Sequence, residues 1–534
     1  ATRAYNRMKR TTGGPSFPPF RLGATLGADA ARVFDRRSGQ SLDTEIPTLF
    51  TYEGYHKLFQ KAHLEIGKTL LDEKWVLGPE FEQRISEIDL ADLSGQVKRL
   101  YYNEYIAIWD SLISDVRIVP FKSVNQAVEA LNILSGPNSM LRRLLRIIEQ
   151  ETALTRLPEG ATKAADAAEK RFSNITGKLA SILQVAPGEE SSTQTGSLLT
   201  TPVDQHFANL HKMIRSEGSE PPPIERTLSM LEELYKHMSS ISSASNQSTR
   251  TFNIAKEQTT GGGNVIDRIK LEAKRQPGPL AELLTSVADG SSNLTATGIR
   301  THLNAIWRTQ VLSFYQRSLA GRYPLRRNGT KEASVSDFGR FFGPGGLIDD
   351  FFTNNLQRFV DTTGRTWRWN VPGNRTLGIP SSTLRLFQHA ATIRDTFFAV
   401  GGQQPKIHFD MKPLGMDTSI SQLTLLLNKQ KISYNHGPTR WTRFSWPDDT
   451  GVSDAKILFS PPAGSKPSGL SKDGPWGWFR LIDQAKSSST DAPETTRVVF
   501  TIGGRSAQFL LRASGALNPF QLKELEGFWC PSSL

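Results

Sequence analysis

The chain has 534 residues, of which 37% are hydrophobic and 22% are charged, and it carries a formal net charge of +12. This composition is typical of a folded soluble protein, and the length predicts about two to four domains. A single cysteine, Cys530, excludes an intrachain disulfide, and no apolar run reaches the roughly 18 residues that span a bilayer. The sequence opens with "ATRAYNRMKR" and has no initiator methionine, so we expect a fragment of a longer protein.

The basic balance admits nucleic acid, anionic lipid or an acidic polymer as a partner. The positive residues are nevertheless dispersed, and the densest groups are Arg142-Arg143 with Arg146, and residues 322–327. Neither group belongs to a nucleic-acid-binding motif. We therefore predict no nucleic-acid partner and attribute most of the excess charge to solvated helix faces and loops.

Residues 62–69 read "AHLEIGKT", the loosest form of a phosphate-binding P-loop. Such a loop needs glycines that wrap the backbone around phosphates, a strand before it and a helix after it. Here Ala62 stands in place of the first glycine, and the apolar residues before it repeat at helical spacing. The pattern favours a helix with an incidental Gly67-Lys68-Thr69 over a nucleotide site.

The first domain, residues 1–155, is predicted to be helical, because two segments carry apolar stripes at helical spacing. The first stripe comprises Val97, Leu100, Tyr101, Tyr105, Ile108, Trp109 and Leu112. The second follows Ser139 and comprises Leu141, Leu144, Leu145 and Ile148. We interpret both stripes as helix-packing surfaces.

Residues 156–264 predict short helices joined by flexible polar connections. The stretches "APGEESSTQTGSLLTTP" and "SSISSASNQSTRTFNIAKEQTTGGGN" contain few large apolar residues. His206 and His211 lie between them, but their spacing of five residues does not place both on one helix face. We therefore predict no metal site there.

Residues 265–400 predict a second helical domain. Its clearest helix ends at Gly321, and two phenylalanine-rich segments, "VSDFGRFFGPGGLIDDFFTNNLQRFV" and "STLRLFQHAATIRDTFFAV", should pack on one another. The "GPGG" at 343–346 predicts a turn. The residues that indicate the buried face of the first helix are Ile306, Val311, Phe314, Tyr315 and Leu319.

Residues 401–534 predict β-structure. Seven short runs are rich in β-branched or aromatic residues, namely "PKIHFDMKPL", "ISQLTLLLNK", "KISYNHG", "TRWTRFSWP", "AKILFS", "TRVVFTIGG" and "RSAQFLLRA". Gly503-Gly504 predicts a two-residue hairpin turn, and "GPWGWFRLIDQA" predicts a short inserted helix. The predicted fold class is therefore multidomain α+β, with a mostly α-helical N-terminal region followed by a C-terminal antiparallel β-sandwich.

Catalytic motifs are missing from the sequence. It contains no Gly-x-Ser-x-Gly elbow and no His-Glu-x-x-His, and its carboxylates never gather in an apolar setting. His436 and Cys530 are the best single candidates, and a structural role is the simpler interpretation for both. We predict a protein that is not an enzyme and that has no cofactor and no metal.

Several segments, in the same order along the chain, resemble a known family. The stretches "GPWGWFRLIDQA", "VVFTIGGRSAQFLLRASGALNPF" and "FWCPSSL" resemble the end of the type VI secretion inner-membrane core proteins of the IcmF/TssM family. The resemblance continues upstream through "AGRYPL", "DFGRFFGPGGLIDDFF", "LRLFQHAATIRDTFF" and "YNHGPTRWTRFSWP". It reaches "IPTLFTYEGY", "EKWVLG" and "LYYNEYIAIWDSLISDV" near the start, so it covers nearly the whole chain apart from the polar connections.

The resemblance implies the periplasmic portion of a bacterial inner-membrane protein, whose transmembrane helices and cytoplasmic part would precede Ala1. It also implies three kinds of partner. These are an outer-membrane lipoprotein, TssJ, bound by the terminal β-rich domain; an inner-membrane protein, TssL; and further copies of the chain in a trans-envelope complex.

Two hypotheses follow from this reading. The first is a non-catalytic periplasmic scaffold whose β-sandwich captures a lipoprotein. The alternative is a nucleotide-hydrolysing or peptidoglycan-acting envelope enzyme, which rests only on the basic charge and on "AHLEIGKT".

For the scaffold, interfaces favour tryptophan and arginine near loops. The predicted partner-binding residues are Arg440, Trp441, Arg443 and Trp446.

Overall fold

The computed structural model describes residues 2–11, 18–62, 87–156, 200–216, 218–258, 264–370, 377, 379–447, 454–462, 466–492, 495–515 and 517–534. They form two compact units. Unit 1 comprises Ala1–Gln247 and Gly262–Leu294, and unit 2 comprises Ser248–Gly261 and Thr295–Leu534. The domain boundaries near residues 155, 264 and 400 stay predictions.

Unit 1 is mainly helical. Its helices are Thr2–Thr11, Leu22–Leu26, Ala30–Val33, Tyr52–Gly54, Glu87–Asp115, Val124–Ser135, Met140–Thr152, Pro202–His206, Ala208–Ile214, Ile224–Ser242 and Val265–Ala273, with a 3₁₀ turn at Thr48–Phe50 and a π-helix at Tyr55–Phe59. Four short strands, β1 (Phe20–Arg21), β2 (Phe34–Arg36), β3 (Glu45–Ile46) and β4 (Val116–Ile118), pair as β1–β3 and β2–β4. Two more helices, Gln247–Gln258 and Gly278–Ile306, have residues in both units.

The aromatic stripe of the helix Glu87–Asp115 is buried in the core of unit 1, as the sequence predicts. Tyr101, Tyr105 and Trp109 are fully buried. Their polar atoms donate to backbone carbonyls, with Tyr101 Oη 2.7 Å from Leu49 O and Trp109 Nε1 2.9 Å from Phe50 O. Because buried polar groups need partners, these bonds fix both the depth and the direction of the rings.

The second predicted stripe is also confirmed. The helix Met140–Thr152 begins at Ser139, whose side chain accepts a hydrogen bond from Arg142 N at 3.1 Å. Leu141, Leu144, Leu145 and Ile148 are all buried. Capping and periodicity thus agree on the boundary and on the inward face of this helix.

The second polar stretch at 239–264 contains, in its described part, the helix Gln247–Gln258. Phe252 and Ile254 on this helix are buried, so a few apolar side chains suffice to hold a segment whose overall composition is polar. Most of the first polar stretch, up to residue 199, lies outside the described residues.

Unit 2 contains helices both before its β-region and within it. They are Ser313–Ser318, Val335–Phe342, Leu347–Asn355, Ser381–Phe397, Gly477–Ile482 and Lys523–Glu526, with a π-helix at Trp307–Leu312 and 3₁₀ turns at Gln357–Phe359 and Pro519–Gln521. A two-stranded ribbon pairs β5 (Val360–Asp361) with β6 (Arg368–Trp369). The phenylalanine-rich helices pack as predicted, with the Phe351 and Phe387 rings stacked at 5.9 Å and the Phe338 and Phe397 rings 5.1 Å apart.

Two antiparallel sheets form the sandwich. Its strands are β7 (Ile407–Met416), β8 (Gln422–Leu427), β9 (Gln430–Tyr434), β10 (Thr442–Trp446), β11 (Ala455–Ser460), β12 (Ser468–Lys472), β13 (Lys486–Ser489), β14 (Thr495–Ile502) and β15 (Arg505–Ala513). The five-stranded sheet has the order β10-β7-β15-β14-β13, and the four-stranded sheet has the order β12-β11-β8-β9. All seven predicted strands are confirmed, and β12 and β13 are additional.

The β14–β15 hairpin turns at Gly503-Gly504, as predicted. Ile502 pairs with Arg505, and the two glycines have φ angles of 57° and 79°. A turn that requires positive φ at both central residues is favourable for glycine and costly for residues with a Cβ atom.

One continuous core joins the helices of unit 2 to the sandwich. Trp446 of β10 and Trp476 lie 4.6 Å apart between ring centroids, and Phe397 of the helix Ser381–Phe397 lies 6.2 Å from Trp446. Trp476 Nε1 donates to Ala333 O at 2.7 Å, and Trp446 Nε1 donates to Pro475 O at 3.0 Å. The helices of unit 2 and the sandwich therefore share one hydrophobic core.

The segment 527–534 folds back on the helices of unit 2. Phe528 and Cys530 are buried, and Trp307 Nε1 donates to Pro531 O at 2.9 Å. Leu534 N donates to Asn304 Oδ1 at 2.7 Å. Trp529, by contrast, is 65% exposed, so its neighbours Phe528 and Cys530 pack on the helices while its own ring does not.

We predict that His211 makes the stability of unit 1 depend on pH. Its ring is buried with Nε2 2.8 Å from Thr152 Oγ1, and burial, helped by the charge of Arg215, lowers its pKa from 6.5 to about 4. Between about pH 6.5 and pH 4, His211 binds a proton in the unfolded chain but stays neutral in the folded chain. The free energy of unfolding therefore falls as pH falls through this range. Between pH 7.5 and 5.0 we expect a loss of about 2 kcal/mol in urea denaturation.

In the variant His211→Gln, this pH-dependent loss should shrink by that amount. The matched control is His206→Gln, since His206 is exposed beside Asp110 with 2.8 Å between Nε2 and Oδ2. An unchanged pH dependence in His211→Gln would contradict the assignment.

We also predict that Phe528→Ala destabilises unit 2 by about 3 kcal/mol, because it removes a buried ring from the core. The Phe528 ring contacts Phe342 at 4.8 Å, Phe341 at 6.0 Å and Tyr315 at 6.1 Å. The neighbouring control, Trp529→Ala, should change stability by less than about 0.5 kcal/mol. Equal effects of the two substitutions on thermal unfolding would contradict the burial of Phe528 and the exposure of Trp529.

Candidate partner-binding surface

The outer face of the five-stranded sheet carries the candidate partner-binding surface of the sandwich. Arg443 of β10, Asp410 of β7 and Arg512 of β15 lie side by side, because Asp410 is the register partner of both arginines. Phe409, Met411 and Phe444 point to the buried side of the sheet. Because side chains alternate along a strand, the two arginines and Asp410 point to its outer face.

Asp410 holds both arginines. Arg512 Nη2 is 2.8 Å from Asp410 Oδ2, and Arg443 Nε is 3.4 Å from Asp410 Oδ1. The Asp410 side chain is only 13% exposed, whereas those of Arg443 and Arg512 are 71% and 43% exposed. One buried carboxylate therefore orients two guanidinium groups that keep most of their donors available to solvent.

Trp441 lies immediately before β10 and completes the surface. The Arg512 guanidinium carbon is 4.7 Å from the Trp441 ring centroid, and Lys412 Nζ is 6.0 Å from it. Cation–π attraction of this kind holds an exposed ring against basic side chains. Trp441 is 37% exposed, so an indole face is displayed among positive charges. We call Trp441, Arg443, Arg512 and Lys412 the basic–aromatic cluster.

The structure separates the four residues predicted from "RWTRFSW". Arg440, Trp441 and Arg443 are exposed. Trp446 is fully buried in the core of unit 2, because it sits on the opposite side of β10 from Arg443. Its ring cannot meet a partner while the sandwich is folded, and the prediction is corrected by leaving Trp446 out of the surface.

Sequence reasoning missed Asp410, Lys412 and Arg512. All three lie in predicted strands at outward positions, and that alternation was the one available signal. Their proximity to Trp441 depends on β7 lying between β10 and β15, which the sequence of each strand does not specify.

The other candidate residues have structural environments. His436 has a positive φ of 56°, and its Nε2 lies 2.7 Å from Ile420 O, which anchors the turn before β10. Cys530 is buried, and burial raises the pKa of its thiol well above the ordinary value. In the P-loop-like stretch, residues 63–69 lie outside the described residues.

The described part of the chain contains no group of three or more His, Cys, Asp or Glu side chains placed to hold a metal ion. Its helices are all too short or too polar to cross a membrane.

Three family models match the chain. An "IcmF-related: Intracellular multiplication and human macrophage-killing" domain matches residues 1–153. A "Type VI secretion protein IcmF helical domain" matches 299–403, and a "Type VI secretion protein IcmF C2-like domain" matches 409–515. The last of these contains the whole basic–aromatic cluster.

A curated relative and two solved structures agree with these matches. The "Type VI secretion system component TssM1" of Pseudomonas aeruginosa is 37% identical over 541 residues, which cover all of this chain and 48% of that protein. A "Type VI secretion system membrane core complex" chain has a TM-score of 0.66 at 17% identity, with 99% of this chain and 98% of that chain covered. A "Type VI membrane complex" chain has a TM-score of 0.60 at 15% identity, with 100% and 99% covered.

The three matched domains, in their order along the chain, define a type VI secretion protein of the IcmF type. The chain belongs to the IcmF/TssM family. It spans about half the length of the curated relative that it matches.

We predict that Asp410→Asn lowers the stability of unit 2 by about 1–2 kcal/mol, because it leaves Arg443 and Arg512 without their shared carboxylate. The loss should be visible in denaturant unfolding followed by tryptophan fluorescence. As a control, Asp491→Asn alters an exposed loop carboxylate and should have no measurable effect. If both variants unfold like the parent, Asp410 does not organise the cluster.

Proposed function

We propose that the chain is a non-catalytic periplasmic scaffold of a type VI secretion membrane complex, and that its sandwich binds an outer-membrane lipoprotein of the TssJ type. The observation that carries the proposal is the basic–aromatic cluster on the outer face of the five-stranded sheet. An exposed tryptophan held between cations is typical of a protein interface, where tryptophan and arginine contribute most of the binding energy.

The packing of unit 2 supports a role in transmitting mechanical load. The cluster lies on strands whose inner faces are packed against the same core as the helices Val335–Phe342 and Ser381–Phe397. A load applied at the sheet face therefore reaches those helices through packed side chains, without a flexible hinge in the described core.

Further partners follow from the family. We infer that an inner-membrane protein of the TssL type and additional copies of this chain complete a trans-envelope assembly. Membrane anchoring would then be supplied by a segment that corresponds to the part of the longer relative outside the matched region. Two structurally similar chains belong to a type VI secretion membrane core complex and a type VI membrane complex, which supports this assembly.

The interface hypothesis predicts that Trp441→Ala, and the double variant Arg440→Ala with Arg443→Ala, each weaken lipoprotein binding by about tenfold or more. The measurement is calorimetric titration of the full chain with the soluble domain of the outer-membrane lipoprotein from the same secretion system. Because the double variant removes charge, its effect should diminish as salt is raised.

The matched control removes two lysines from the four-stranded sheet instead. Lys431 of β9 and Lys456 of β11 are exposed, so Lys431→Ala with Lys456→Ala makes the same change in net charge elsewhere on the sandwich. This control should bind like the parent. Parent-like binding by Trp441→Ala and by the arginine variant would remove the cluster as the lipoprotein site.

A further inference from the structure

The two open sides of the sandwich are finished differently. On one side, the edge strand β10 is covered by Gln430 of β9, whose Oε1 accepts from Ser445 N at 2.9 Å. Gln430 Nε2 also lies 3.4 Å from Ser445 O. The side chain amide thus pairs with the backbone as a neighbouring strand would, and it blocks this edge against further pairing.

The other side ends at β13, and its edge is not blocked in this way. β13 is the last strand of the five-stranded sheet, and each of its residues, Lys486–Ser489, is exposed. Among the described residues, no strand pairs with its outer edge. Alternate backbone N–H and C=O groups of such an edge point away from the sheet, and they form a template for an added strand.

A cleft of about 580 Å³ lies against β13, and Ser487 of this strand is part of its lining. Its floor is fixed by hydrogen bonds. Asp483 accepts from Tyr323 Oη at 2.7 Å and pairs with Arg327, whose Nη2 also donates to Phe520 O at 3.1 Å. The cleft is therefore lined by hydrogen-bonded residues that come both before β13 and after it in the sequence.

The rim of the cleft is basic. Lys472, at the end of β12, and Lys523 line it, and Lys486 lies on β13 itself. In the described part of the chain none of these three lysines has an acidic partner, whereas Arg327 is already paired with Asp483. The lining contains two carboxylates, Asp483 and Glu526. Since Asp483 is paired with Arg327, Glu526 alone remains to balance the three lysines, and the cations beside β13 outnumber the anions that could neutralise them.

We propose that β13 is a docking edge for an extended segment of another protein, which adds as a strand and places carboxylate side chains over Lys472 and Lys523. Backbone pairing along β13 supplies the register, and the lysines select an acidic sequence. This site is separate from the basic–aromatic cluster, which involves β10, β7 and β15. The proposal therefore stands or falls independently of the lipoprotein contact.

The test uses the full chain and three synthetic seven-residue peptides with blocked ends. The first alternates threonine and glutamate, the second alternates threonine and lysine, and the third is the first with alternate backbone nitrogens methylated. We expect the glutamate peptide to bind in calorimetry at concentrations below about 1 mM, and the other two to bind at least about tenfold more weakly. Hydrogen exchange at 486–489 should slow when the glutamate peptide is present.

Charge variants locate the contact. Lys472→Glu with Lys523→Glu should weaken the glutamate peptide by about tenfold or more, whereas Lys431→Glu with Lys456→Glu, on the other sheet, should leave it unchanged. The methylated peptide requires no variant, so a folding defect does not spoil the test. Undetectable binding of the glutamate peptide, equal binding of all three peptides, or exchange protection confined to other strands would overturn the proposal. Protection of β13 that rises with chain concentration without peptide would also overturn it, in favour of a second copy as the occupant.

Discussion

The contact between Trp446 and Trp476 is the interaction on which unit 2 depends most. Trp446 belongs to a sandwich strand, and Trp476 precedes the helix Gly477–Ile482 and donates its indole hydrogen to Ala333 O before the helix Val335–Phe342. Phe338 of that helix lies 5.2 Å from Trp476 between ring centroids. Removing a buried ring of this size costs about 3–5 kcal/mol, which is a large fraction of the stability of a typical domain.

This shared core determines where the functional surfaces lie. Because Phe444 and Trp446 point inward, Arg443, which immediately precedes Phe444 in the strand, must point outward, where Asp410 and Arg512 meet it. The helix Gly477–Ile482 has four neighbouring core residues, Trp478, Phe479, Leu481 and Ile482, and it delivers the chain to the edge strand β13. The sheet face and the sheet edge are thus both consequences of how the aromatic residues are buried.

Local patterns predicted the elements, and pairing between distant strands decided the surfaces. Periodicity and capping sufficed for the helix Met140–Thr152, and Gly503-Gly504 sufficed for the hairpin. β12 ("SGLSK") and β13 ("KSSS") escaped prediction because neither has an apolar alternation, and hydrogen bonding to β11 and β14 is what makes them strands. Arg443 could be nominated from its own segment, but its partner Asp410 is 33 residues away and is brought beside it only by strand order.

Native-state hydrogen exchange on the full chain tests the shared core most directly. The amides to compare are those of the helix Ser381–Phe397 and of β7, followed over increasing urea. If the core is shared, the slowest amides of both elements open with the same free energy and the same urea dependence, as one cooperative unit. Opening of the helix at a free energy lower by more than about 2 kcal/mol, while β7 stays protected, would contradict it.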